Sequence, residues 1–196
     1  VYEGPDDQNV DESEDFDDGF ADPEDGFLSC DFATHPTSLL VTCSLKGMVS
    51  FWDVDHDTGV KRSTSITKID KTSLNKAVNV VQFSPNAKRL AVAVGSSCHL
   101  HDVHNASNGI VELDDGHADD IVCLSFCCQA NRNHGAPLIV TGGKDHVAVV
   151  WSVKNGDMLA RLTDGHDGHI TSVTFDPTNR FIVTAGADSR IIMWDA

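Results

Sequence analysis

A histidine, a threonine and an aspartate stand in the same order twice in this 196-residue chain: His117, Thr141 and Asp145, then His166, Thr184 and Asp188. A histidine beside a hydroxyl and a carboxylate is the raw material of nucleophilic catalysis, in which the imidazole takes the hydroxyl proton and the carboxylate orients the ring. Two features speak against that chemistry. An active site needs one constellation, whereas this one recurs with the same Thr-to-Asp spacing of four residues, and no Gly-x-Ser-x-Gly elbow accompanies either copy. Each copy is also framed alike, with a glycine before the histidine (Gly116, Gly165) and a tryptophan six residues after the aspartate (Trp151, Trp194). Residues repeated as a set belong to a repeated element, and no catalytic residue is expected among them.

Other candidates for chemistry fare no better. Cys98, His99, His101 and His104 hold imidazole and thiolate groups of the kind that bind zinc, but strand alternation sends Cys98 and His99 to opposite faces, so no metal site is expected. Gly142-Gly143-Lys144 lacks the upstream glycine and downstream hydroxyl of a phosphate-binding loop. No cofactor or small-molecule substrate follows. The six cysteines, Cys30, Cys43, Cys98, Cys123, Cys127 and Cys128, do not read as a disulfide framework, and free thiols suit a nuclear or cytoplasmic protein. No apolar run approaches the 18 or so residues of a membrane-spanning helix.

The elements that carry the repeated residues are short and β-like. Ile170–Phe175 alternates apolar and polar residues, Asp176-Pro177-Thr178-Asn179 is turn chemistry, and residues 181–184 and 190–194 are further β-rich runs. Residues 80–85 with 89–94, and 122–126 with 138–141, follow the same plan. No segment keeps a 3.6-residue apolar period, so helix is expected to be nearly absent.

Two weaker copies precede the clear ones. Residues 32–53 end in Phe51-Trp52-Asp53 and residues 78–102 in Leu100-His101-Asp102, so the tryptophan position falls at Trp52, His101, Trp151 and Trp194, in steps of 49, 50 and 43 residues. A period near 40 to 45 residues with a Gly-His opening and a Trp-Asp ending resembles the WD40 β-propeller family. That resemblance implies an all-β fold with four blades, about 27–76, 77–113, 114–162 and 163–196. It also implies a larger ring, since most members close with seven blades and the chain stops just after Trp194. It further implies that each full set is a structural tetrad, His117, Thr141, Asp145, Trp151 and His166, Thr184, Asp188, Trp194, in which the histidine bonds the turn aspartate while threonine and indole complete a buried network. The first repeat keeps only Thr42 and Trp52, with Lys46 in place of the turn aspartate. The second has His101 at the tryptophan position and a short Gly95-Ser96-Ser97 turn, which predicts a weaker blade.

Charge is uneven. Of the net −16, twelve negative charges lie in residues 1–26, which hold no Lys or Arg and are expected to form a disordered acidic tail, leaving −4 for residues 27–196. The basic cluster at Lys61-Arg62, with Lys68, Lys71 and Lys76 beyond it, reads as a solvated connector, so direct nucleic-acid binding is disfavoured. In the family the loops entering each blade and the turns between its second and third strands share one face. Here that rim would carry Asp114, Asp115, Asp119, Asp120, Asp164 and Asp167 beside Lys46, Lys144 and Arg190, which suits a basic peptide or a basic patch on another protein. The expected role is a non-catalytic scaffold for protein–protein interaction in a multiprotein complex, with histone or ribosome assembly as a favoured setting. The alternative is a ubiquitin-ligase substrate receptor or the regulatory propeller of a larger enzyme.

Overall fold

The computed structural model describes residues 26–33, 38–55, 59–66, 77–104, 109–127 and 137–196, the side chains of 55 and 59–66 excepted. The acidic segment 1–25, the connector lysines 68, 71 and 76, Cys128 and the side chains of Lys61 and Arg62 lie outside it. Among the described residues there are strands and no helix, and so no helix long and apolar enough to cross a membrane.

The strands form four antiparallel sheets in which sequence neighbours are always spatial neighbours. The first sheet is β1 (Phe27–Ala33), β2 (Leu39–Ser44), β3 (Val49–Asp55) and β4 (Gly59–Ile66). The second is β5 (Val78–Phe83), β6 (Arg89–Val94), β7 (Ser97–Asp102) and β8 (Val111–Leu113). The third is β9 (Ile121–Phe126), β10 (Leu138–Gly143), β11 (Ala148–Ser152) and β12 (Met158–Leu162). The fourth has three strands, β13 (Ile170–Phe175), β14 (Phe181–Gly186) and β15 (Ile191–Asp195). The outer strands β4, β8 and β12 have no clear alternation in sequence, and only pairing to their neighbours makes them visible.

Short turns impose this meander. Between the second and third strands of the first, third and fourth sheets the chain turns with Gly47, His146 and Ser189 at φ of 81°, 68° and 65°, the left-handed residue that closes a three-residue hairpin loop. The second sheet differs. Val94 pairs with Ser97, so only Gly95 and Ser96 form the loop, with Gly95 at φ 60°. Its hairpin is one residue shorter than the others.

Sheets stack face to face, and alternate residues of each central strand feed two different cores. Leu90, Val92 and Val94 of β6 pack with Val41, Val49 and Phe51 of the first sheet. Ala91 and Ala93, on the other face, join Leu124, Ile139 and Trp151 of the third. Leu138 and Val140 pack with Ile170, Val173 and Ile182 of the fourth. Covered on both sides, β10 is buried along its whole length.

The first strands β1, β5, β9 and β13 stand side by side in that order. Side chains at one repeated position bridge them: the Phe83 amide donates to Asp31 Oδ2 at 2.6 Å, and the Phe126 amide to Gln82 Oε1 at 3.2 Å. Among the described residues the row stays open between the first and fourth sheets. Its outer faces carry apolar groups in water, with Phe27 56% exposed at one end and Ile191 77% and Met193 66% exposed at the other.

Candidate functional site

The loop before each of the last two sheets folds over the turn between that sheet's second and third strands, and this brings the spaced residues together. In the third sheet His117 Nδ1 lies 3.1 Å from both carboxylate oxygens of Asp145, and its Nε2 lies 2.8 Å from Thr141 Oγ1. The Trp151 indole N–H donates to the same hydroxyl at 2.9 Å. In the fourth sheet His166 lies 3.0 Å from Asp188 and 2.8 Å from Thr184, and Trp194 donates to Thr184 at 2.9 Å.

Donor and acceptor roles run one way along each chain. The indole N–H can only donate, so Thr141 accepts from it and gives its own proton to His117 Nε2, which leaves Nδ1–H to donate to Asp145. That requires a neutral ring on an ionised carboxylate. Burial lowers the His117 pKa and outweighs the opposing pull of Asp145. For Asp145 burial acts to raise the pKa, but the Ala118 amide and the His117 ring outweigh it and hold the carboxyl below its usual range. Asp188 is held at about 2, where burial is again outweighed by His166 and by the amides of Arg190 and Asp167. The threonine hydroxyl and the histidine ring are thus committed to one another. Burial also pushes the Cys43 thiol to about 11 and Cys98 and Cys123 to about 12, away from reactive thiolate.

Two pairs of glycines make room for the network. A Cβ on Gly116 would sit 2.3 Å from the Trp151 ring, and one on Gly165 would sit 2.6 Å from Trp194, so the Gly-His opening is flat because the indole lies against it. A Cβ on Gly143 would meet His117 Nδ1 at 2.6 Å, and one on Gly186 would meet His166 Nδ1 at 2.4 Å. In the sequence Gly143 stood out only as part of a rejected phosphate-binding loop and Gly186 not at all, although both stand two residues after the network threonine.

The earlier repeats lack parts of this arrangement. Trp52 donates to Thr42 at 2.9 Å, and Lys46 takes the turn position. In the second sheet, pairing puts His101 opposite Leu90, as Trp151 is opposite Ile139, and the threonine position falls on Val92. His101 Nε2 is buried with no hydrogen-bond partner. The positions where Gly-His would open these two repeats lie outside the described residues.

The rim residues gather at the same end. Lys144 Nζ pairs with Asp120 at 2.7 Å and Arg190 with Asp167 at 2.9 Å, each joining a turn to the loop above it. Asp114, Asp115, Asp119 and Asp164 are exposed, with Asp115 and Asp164 at positive φ of 61° and 63° just before the glycines. Arg161, which the sequence reading did not single out, comes within 4.0 Å of Asp145. Between the second and third sheets a cleft of about 390 Å³ is lined by Ala77, Asn79, Gly95, Ser96, Ala118, Asp119 and Asp120. Among the described residues no group of three or more His, Cys, Asp or Glu could hold a metal ion.

Residues 110–152 and 156–195 match the family described as WD domain, G-beta repeat, and each matched stretch contains one complete His, Thr, Asp and Trp set. The chain carries WD40 repeats. It is similar to Protein HIR1 of Phaeosphaeria nodorum, 27% identical over 163 residues that cover 79% of this chain and 15% of that protein. Small ribosomal subunit protein RACK1 of Drosophila melanogaster is 34% identical over 82 residues, covering 42% of this chain and 24% of RACK1. Eukaryotic translation initiation factor 3 subunit I of Eremothecium gossypii is 41% identical over 66 residues, 34% of this chain and 19% of that subunit. The WD40 repeats described here thus align with less than a quarter of each of these relatives.

Proposed function

We propose that this WD40 chain is a non-catalytic scaffold whose loop-bearing end holds a basic segment of a partner protein inside a multiprotein assembly, in the nucleus or cytoplasm. The observation that carries this reading is the convergence of the acidic loops 114–120 and 163–169 with the turns of the third and fourth sheets, where Asp114, Asp115, Asp119 and Asp164 face water. Positive groups on a partner meet complementary potential there, while Lys144 and Arg190 already neutralise Asp120 and Asp167 and fix the loops. Lys46, on the corresponding turn of the first sheet, adds a position of opposite charge that would orient an elongated ligand.

We take the repeats as residues 27–76, 77–113, 114–162 and 163–196, each full His-Thr-Asp-Trp set as the internal brace of its blade, and residues 1–26 as an acidic leader that extends the same charge. Two relatives lend support by name: RACK1 is a protein of the small ribosomal subunit, and the Eremothecium protein is a subunit of a translation initiation factor. A histone-related or ribosome-related assembly is the setting we favour.

The test is binding to an arrayed library of peptides graded in net charge, read at two salt concentrations. Lys- and Arg-rich peptides should be retained, more weakly at high salt, and the double charge reversal Asp119→Lys with Asp164→Lys should weaken them by on the order of tenfold. Equal retention of acidic and basic peptides, or no response to the reversal, would sink the reading.

A further inference from the structure

The seam between the first and second sheets is built differently from the others. Three of the four sheets set a tryptophan on the preceding side and tie its indole to a threonine: Trp52 to Thr42, Trp151 to Thr141 and Trp194 to Thr184. The second sheet replaces both, with His101 for the tryptophan and Val92 for the threonine. A second histidine stands two residues away. His99 is opposite Val92 as His101 is opposite Leu90, and cross-strand partners share a face. Leu90 and Val92 belong to the core shared with the first sheet, so both imidazoles sit on the face turned toward that sheet. Their ring centroids are 6.4 Å apart, His99 is only 7% exposed, and His99 Nδ1 and His101 Nε2 are both buried without a hydrogen-bond partner.

From this geometry we propose that the seam between the first and second sheets is an acid-sensitive hinge, which opens when His101, packed beside His99, takes up a proton. A proton on His101 would place a cation beside the His99 imidazole in an apolar layer, where an unpaired charge is costly. Little in the surroundings offsets it. From the first sheet the layer is faced by Val41, Val49, Phe51 and Cys43, whose thiol is pushed up to about 11 and stays neutral, with Leu39 and Val103 at its edge. From β6 it is faced by Leu90, Val92 and Val94, and from β8 by Glu112, opposite His99 but exposed to water. Arg89 and Asp102, which pair across β6 and β7, lie on the other face by strand alternation.

The direction follows from linkage. Burial, with His99 as a second cause, lowers the His101 pKa from 6.5 to about 4, so the closed seam holds a neutral ring while the opened chain takes up a proton near 6.5. The open form binds more protons between those values. The seam's stability is therefore full above about pH 6.5 and falls as the pH drops toward 4.

Hydrogen exchange of the full chain at pH 7 and pH 5, corrected for the intrinsic pH dependence of amide chemistry, reads the hinge. Peptides covering β6 and β7 should exchange on the order of tenfold faster at pH 5. His101→Phe should abolish the difference. If that variant does not fold, the pair His101→Trp with Val92→Thr, which installs the indole and hydroxyl found in the other sheets, carries the same test. No acceleration in β6 and β7, or acceleration that persists in a folded variant, overturns the proposal.

Discussion

At the scale of single residues, the chemistry that the sequence first suggests is used up internally. A hydroxyl that accepts from an indole and donates to an imidazole has no proton-transfer task left, and the aspartate that closes the chain also accepts the Ala118 and Val147 amides. Such networks stabilise when complete and become liabilities when broken. Thr141→Val keeps the shape of a fully buried side chain but strands the Trp151 N–H and His117 Nε2. It should cost on the order of 1 to 3 kcal/mol, read as a lower midpoint in urea denaturation with an unchanged slope. A wild-type midpoint would remove the network from any account of stability. His, Thr, Asp and Trp were all legible in the sequence because they recur in the same order, with Thr to Asp and Asp to Trp at fixed spacing and a glycine before each histidine. Gly143 and Gly186 recur as well, but their reason is a distance to an imidazole that only the folded chain supplies.

At the scale of elements, turns and side-chain bridges set how sheets meet. Asp31 and Gln82 occupy equivalent positions in β1 and β5, and each reaches the backbone of the next first strand, whereas Ser125 at the same position of β9 bonds the carbonyl of Phe126, its own neighbour. Side-chain length decides which seam receives a bridge. Gln82→Ala should therefore free the Phe126 amide, with faster exchange at that residue in nitrogen-resolved NMR and a stability loss of about 0.5 to 1.5 kcal/mol. Unchanged protection at Phe126 would show that the bridge is incidental. The inner strands were readable as short apolar, β-rich runs between turns, but β4, β8 and β12 were not. Residues such as Met158 and Leu159, exposed on an outer strand, follow no period that separates them from a loop.

At the scale of the whole molecule, each sheet presents one face to its predecessor and one to its successor, and the first and fourth sheets each keep an outer face in water. Ile191 and Met193, which project from β15 beside the half-buried Trp194, are large apolar groups of the kind that drive self-association when left uncovered. Replacing both by lysine should raise the solubility of this chain and reduce light scattering at high concentration. Thermal stability should hold, because neither residue joins the core between the third and fourth sheets. Scattering that is unaffected by the change would place the sticky surface elsewhere, with Phe27, Leu28 and Phe32 of the first sheet the next to examine.

The sequence by itself determined the all-β class, the repeat and the members of each polar set, because a periodic structure must repeat the residues that hold each unit together. It also placed the acidic loops, since charge needs no fold to be counted. Tertiary structure alone decided which aspartates face water and which are neutralised by Lys144 and Arg190, because ion pairing depends on loops meeting turns across the top of a sheet. It also decided that His99 and His101 share a buried layer. In the sequence they are two histidines in a strand, and the cost of charging His101 depends on the apolar side chains that another sheet brings up against that face.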